Sequence, residues 1–193
     1  MAKSDAASYK KERNRMIRWV SSIFFITIFV SGTISFISDR IMEASSIFVA
    51  FLILLFIILL GIIFDVVGVA VTSAEEKPFH SMAAHKVPGA MEAIKLLRNA
   101  ERVSSICNDV IGDICGVVSG AASATIAAQV LSNFTFSFPQ IITLAMSGLV
   151  AGLTVGGKAV GKTFAIKSCT KIVHTTGKLI WAFRHFFNRS KQK

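Results

Sequence analysis

The chain has 193 residues, 53% of them hydrophobic, with a net charge of +10 and a mean hydropathy of +0.63. A soluble domain of this length buries its core with less apolar sequence, so the composition excludes an ordinary water-soluble globule and points to lipid as solvent. The positive charge does not indicate nucleic acid as partner, because it lies beside apolar runs, where it reads as topology and anionic-lipid contact.

Residues 1–18 form a polar tail with six Lys and Arg. The run from Trp19 to Ser38 has 20 uncharged residues. It is longer than a signal-peptide core and no small-residue cleavage pattern follows it, so it reads as a retained span. The expected outer turn is Asp39 to Glu43. Ala44 to Phe64 is a second uncharged run, of 21 residues. Crossing about 30 Å of hydrocarbon takes roughly 20 apolar residues. The second run continues past Asp65 to Thr72, which places Asp65 inside the membrane near its inner edge.

Residues 73–102 form a loop with five Lys and Arg, broken at Pro78 and at Pro88-Gly89. Ala90, Ile94, Leu97 and Glu101 keep a spacing of three to four, which predicts a helix leading into the third span. That span, about Val103 to Val130, opens with Ser104, Ser105, Asn108, Asp109 and Asp113. No charge occurs from Ile114 to Gly157, and Pro139 with Ser132 and Asn133 divides the stretch into the ends of spans three and four. Gly112, Gly116 and Gly120, then Gly148, Gly152 and Gly156, lie four apart. Such stripes predict close packing, within one chain or between two, and a homodimer is expected.

The final segment, 166–193, has no acidic residue. Ile166, Val173, Ile180, Phe183 and Phe187 line one helical face, with Lys167, Lys171, Lys178 and Arg189 towards another. This predicts a basic amphipathic helix on the inner leaflet, the alternative being an ordinary helix packed against its own cytoplasmic domain.

Of 21 Lys and Arg, 20 fall in residues 1–18, 73–102 and 158–193, and only Arg40 lies in the two other connections. By the positive-inside rule, both termini and the 73–102 loop are cytoplasmic. The expected fold is all-α: a four-helix transmembrane domain over 19–165 in the plasma membrane, followed by the amphipathic helix. Cys107, Cys115 and Cys169 are too few and scattered for a disulfide framework.

Three acids fall within or beside spans: Asp65, Asp109 and Asp113. A carboxylate at bilayer depth costs about 2.5–3.5 kcal/mol on insertion scales, so it seeks a partner or a wet cavity. With the carbonyl of Asn108, these acids are hard oxygen ligands suited to Mg2+. Pairing with Arg102 or Lys158 at the interface is the structural alternative. Gly156 to Thr163 matches the phosphate-loop pattern G-x-x-x-x-G-K-[ST], but a span precedes it where a strand is required, so it is read as chance. Asn133-Phe134-Thr135 is a formal glycosylation sequon beside two spans. No nucleophile–base pair or His/Cys ligand set is visible, and no enzyme is expected.

Four segments, in order, resemble motifs of the CorC/CorB and cyclin M (CNNM) family linked to Mg2+ transport. Phe64-Asp65-Val66-Val67-Gly68-Val69-Ala70-Val71 resembles F-S-x-x-E-x-A-L, and Lys95 to Arg102 resembles R-L-L-x-x-P-E-R. Ile106-Cys107-Asn108-Asp109-Val110 is similar to I-G-N-N-L, and Gly157 to Thr163 to G-E-x-x-P-K-[ST]. The resemblance covers about Ile62 to Val173. It implies a dimeric domain holding dehydrated Mg2+ in an inward-open cavity. Asp65 stands at the motif serine and Asn108 with Asp109 at the paired asparagines. Gly68 and Lys158 stand where the family has glutamates, so Lys158 is expected to compensate charge. Asp113 and Ser73 are further metal candidates. The family's cytoplasmic regulatory domains have no counterpart in these residues, so a separate regulatory protein partner is expected. The competing expectation is a non-transporting accessory protein of the same family.

Overall fold

A computed structural model describes residues 2–133 and 138–190, with side chains described for 13–42, 44–133 and 138–186. Helix α1 spans Ala2–Glu43, α2 Ile47–Ser73, α3 Lys77–Ala84, α4 Ala90–Arg98 and α5 Ala100–Ser105. A π-helical segment, Ile106–Gly112, joins α5 to α6, Asp113–Asn133. Helix α7 spans Pro139–Lys167 and α8 spans Cys169–Ser190. No strand occurs among the described residues.

Four helical stretches are long and apolar enough to cross a bilayer: Arg13–Met42, Ile47–Ser73, Ala100–Asn133 and Pro139–Lys167. Phe24, Phe25 and Phe29 on α1, Phe48 and Phe56 on α2, and Leu144 and Val155 on α7 are all exposed. Such a surface is untenable in water but is what hydrocarbon requires, while each helix satisfies its own backbone polar groups. The chain is a polytopic, all-α membrane protein.

The expected boundaries shift in two places. No break separates the basic tail from the first span, because α1 is continuous from Ala2. The turn between α1 and α2 is Ala44 to Ser46 rather than Asp39 to Glu43. Asp39 and Arg40 remain helical in the last turns of α1. There Asp39 accepts a hydrogen bond from Thr125 Oγ1 of α6 at 3.3 Å, and the Arg40 guanidinium lies 5.4 Å from the Phe36 ring centre. Charges with such partners at a helix end need not terminate it.

Helix α2 is the axis of the bundle and packs on α6, α7, the π segment, α5 and α8. Its buried residues Ala50, Leu54, Ile58, Gly61, Asp65 and Gly68 recur every three or four positions, which makes one continuous stripe. Towards the end at the α1–α2 turn, Ala50, Leu54 and Ile58 join Met42, Ala122, Ile126 and Val150 in one apolar core. Towards the basic end, Ala70 and Val71 join Phe79, Ala93, Ile94, Ala165 and Val173 in a second. The stripe between the two cores carries Asp65.

Of the two glycine stripes only Gly112 packs within the chain, against Lys158. A Cβ added at Gly116, Gly120, Gly148, Gly152 or Gly156 would meet nothing within 4 Å. Close helix approach relies on other glycines. A Cβ at Gly61 would lie 2.9 Å from Cys115 Cβ, and one at Gly161 would lie 2.8 Å from Val66 Cγ2. One at Gly157 would overlap the Ile62 side chain.

The apolar face expected over residues 166–187 is divided. Ile166 belongs to α7 and is exposed, whereas Val173 on α8 is fully buried in the second core. The first half of α8 docks on α4, where a Cβ at Gly177 would lie 2.9 Å from Ala93 N. Opposite it stands Gly89, whose φ of 86° suits glycine. Ile180 and Phe183, with Leu179 and Phe186, are exposed on the distal half. The side chains of Phe187 and Arg189 lie outside the described residues.

Candidate functional site

The expected ligands separate into two groups. Asp65 is 4% exposed and sits in the buried stripe of α2. Its Oδ2 is buried without a hydrogen-bond partner. One turn on, Gly68 leaves the space that Asn108 of the π segment occupies: a Cβ there would overlap Asn108 Oδ1 and lie 2.8 Å from its Cγ. Asn108 Nδ2 donates to Ser104 Oγ at 3.2 Å, and Asn108 Oδ1 is buried without a partner. Two unpartnered oxygens therefore lie within one turn of each other on the α2–π-segment interface. A buried acceptor without a donor costs about 1–3 kcal/mol, and more when charged.

Lys158 enters from α7. Its ammonium lies 3.5 Å from the carbonyl oxygen of Gly112, one turn beyond Asn108. Neighbouring Gly157 abuts Ile62, one turn before Asp65. Lys158 and Asn108 thus reach α2 about one turn to either side of Asp65, near Gly61 and Gly68. Among the described residues no ion pair within 4.0 Å joins Lys158 to Asp65 or Asp109.

Asp109 and Asp113 are exposed and turned away from α2. Asp109 Oδ2 accepts a hydrogen bond from Ser105 Oγ at 2.9 Å. Consecutive helical residues point in different directions, so Asn108 and Asp109 do not enter one interface together. Helix α6 and its π segment give α2 the face carrying Asn108, Gly112 and Cys115 instead. Ser73 is exposed at the end of α2, eight residues and about 12 Å of helix beyond Asp65. Among the described residues no three His, Cys, Asp or Glu side chains gather in metal-binding geometry.

Two features escaped the sequence pattern. The π segment has no compositional signature, although π turns recur at functional sites. Ser104, which accepts from the Asn108 amide, is visible only as one more polar residue at the head of the span. The phosphate-loop match, Gly156 to Thr163, lies in the interior of α7, where no loop exists to cradle phosphate. Asn133 donates through Nδ2 to Gln129 O at 2.9 Å, and the rest of the sequon lies outside the described residues. Cys107, Cys115 and Cys169 are free.

Comparison with protein-family models, with curated proteins and with solved structures finds no match for this chain.

Proposed function

We propose that this chain is a divalent-cation transporter of the cell membrane, with Mg2+ as cargo and with both termini cytoplasmic. The observation that carries the reading is the unpartnered carboxylate of Asp65 in a buried layer beside the unpartnered carbonyl of Asn108. An intramembrane acid without a partner is retained against its insertion cost where it serves an ion path. Carboxylate and amide oxygens suit a hard cation that keeps part of its water shell. Lys158 supplies compensating charge nearby: its ammonium rests on Gly112 O rather than on the Asp65 carboxylate. Transport by alternating access, a homodimeric state and a separate regulatory partner follow from the family resemblance.

A second reading, a non-transporting accessory protein, is favoured by Lys158 and Gly68. An ammonium in the ligand layer opposes a divalent ion, and the space at Gly68 is filled by Asn108, leaving no room for the family glutamate. Flux of Mg2+ into proteoliposomes loaded with a Mg2+-sensitive dye separates the two readings. Transport predicts uptake that Asp65→Asn abolishes. No uptake by the parent, with uptake appearing in Lys158→Glu, identifies the accessory protein.

A further inference from the structure

At the basic end of the bundle, α1 and the start of the third span border an open cavity of about 710 Å3. Helix α1 is anchored to α6 near its other end, through Thr125 to Asp39 and through Gln129 Nε2, which donates to Met42 O at 2.7 Å. The cavity is lined by Arg15, Arg18, Trp19, Glu101 and Arg102, with Met16, Ser22 and Ser105 completing the wall. Three guanidiniums against one carboxylate give the lining a net charge of +2. The Arg102 guanidinium lies 5.9 Å from the Trp19 ring centre. Arg18 spends one donor on Asn14 O at 3.4 Å, and no ion pair among the described residues holds Arg15, Arg18 or Arg102.

The cavity also lies at a defined depth. Arg18 is the last charge before the first uncharged run and Trp19 its first residue, while Arg102 is the last basic residue before the third span enters its apolar part. Both helices change from charged to apolar at this level, where lipid phosphates lie and where Trp concentrates. Beyond it, Val20, Phe24 and Phe25 are exposed on α1. A ligand held here meets guanidiniums at its head and an apolar helix face below.

We propose that this cavity binds the headgroup of an anionic phospholipid, with its phosphate between Arg18 and Arg102 and its acyl chains along α1. Arginine suits this task because its planar fork engages two phosphate oxygens at once. Free phosphate shares the chemistry of the head but gains nothing from the apolar face of α1.

The test is native mass spectrometry of the detergent-purified full chain with phosphatidylglycerol, with phosphatidylcholine, and with phosphatidylglycerol plus excess inorganic phosphate. The triple variant Arg15→Gln, Arg18→Gln, Arg102→Gln is compared with Lys162→Gln, Lys171→Gln, Lys178→Gln, which removes equal charge elsewhere. The site predicts preference for phosphatidylglycerol, resistance to phosphate, and occupancy falling at least about tenfold in the arginine variant alone. Equal loss in both variants, displacement by phosphate, or no preference over phosphatidylcholine would overturn it. If the arginine triple misfolds by gel filtration, the conservative pair Arg18→Lys, Arg102→Lys decides. Weakened lipid retention at unchanged charge supports the site, and unchanged retention rejects it.

Discussion

The seat of Asn108 on Gly68 makes a sharp prediction. In Gly68→Ala the new methyl overlaps Asn108 Oδ1 and lies 2.8 Å from Cγ and 3.1 Å from Nδ2, so the amide must leave the interface. Overpacking of this kind costs about 1–3 kcal/mol. Losing the 3.2 Å hydrogen bond to Ser104 adds about 0.5–1.5 kcal/mol. Alanine recovers about 1 kcal/mol of helix propensity over glycine. The net expectation is a destabilisation of about 1–3 kcal/mol. Asn108→Ala alone stays within about 1 kcal/mol of the parent, because the lost bond is offset by removal of the unpartnered Oδ1. The double variant regains most of what Gly68→Ala loses, since alanine fits where the amide stood. Unfolding in detergent, followed by circular dichroism for the four proteins of this cycle, measures the coupling. Additive effects, or Gly68→Ala as stable as the parent, would show that Asn108 does not rest on α2.

Other expectations follow from single contacts. Asp65→Asn raises stability without Mg2+ by about 1–3 kcal/mol, because it removes a buried unpaired charge; a fall in melting temperature would contradict the isolation of that carboxylate. Gly177→Leu forces α8 off α4, where the chain approaches Ala93 N to 2.9 Å from an added Cβ, and exposes α8 to limited proteolysis while the spans stay resistant. In Gln129→Ala, α1 loses a hydrogen bond worth about 1 kcal/mol and cross-linking between positions 39 and 125 declines. In the segment between α2 and α5, the hydrogen bond from Arg98 Nε at 2.9 Å holds the Glu76 carboxyl below the usual carboxylate range, with the charges of Arg98 and His80 adding to it. A depressed native value means that this contribution is present above the ordinary carboxylate value and disappears as pH falls through the depressed one. Arg98→Gln returns the Glu76 titration, followed by NMR, towards the ordinary value.

Spans were legible because length, apolarity and charge asymmetry are one-dimensional properties. The place of Asp65 inside the second long apolar helix was legible for the same reason: uncharged sequence continues on both sides of it. What the sequence hid is rotational. Asn108 and Asp109 are neighbours in the chain, yet one faces α2 and the other faces outward, and no periodic pattern marks which. The π segment shifts the helical phase between α5 and α6, which a fixed period of 3.6 does not anticipate. The glycines mislead similarly. The regular stripes at Gly116 and Gly120 and at Gly148 and Gly152 touch nothing, while the irregularly placed Gly61, Gly68, Gly157 and Gly161 set the helix separations. Ile166 and Val173, seven apart, fit one helical face on paper. The break between Lys167 and Cys169 assigns them to different helices with opposite burial.

The most direct test of the cation site is Mg2+ titration of the purified, detergent-solubilised chain by calorimetry, with Asp65→Asn and Asp109→Asn alongside. Saturable binding that Asp65→Asn abolishes and Asp109→Asn leaves nearly intact is the predicted result. Absence of binding to the folded parent at millimolar Mg2+, or binding lost only in Asp109→Asn, would contradict a cation site at Asp65 and Asn108.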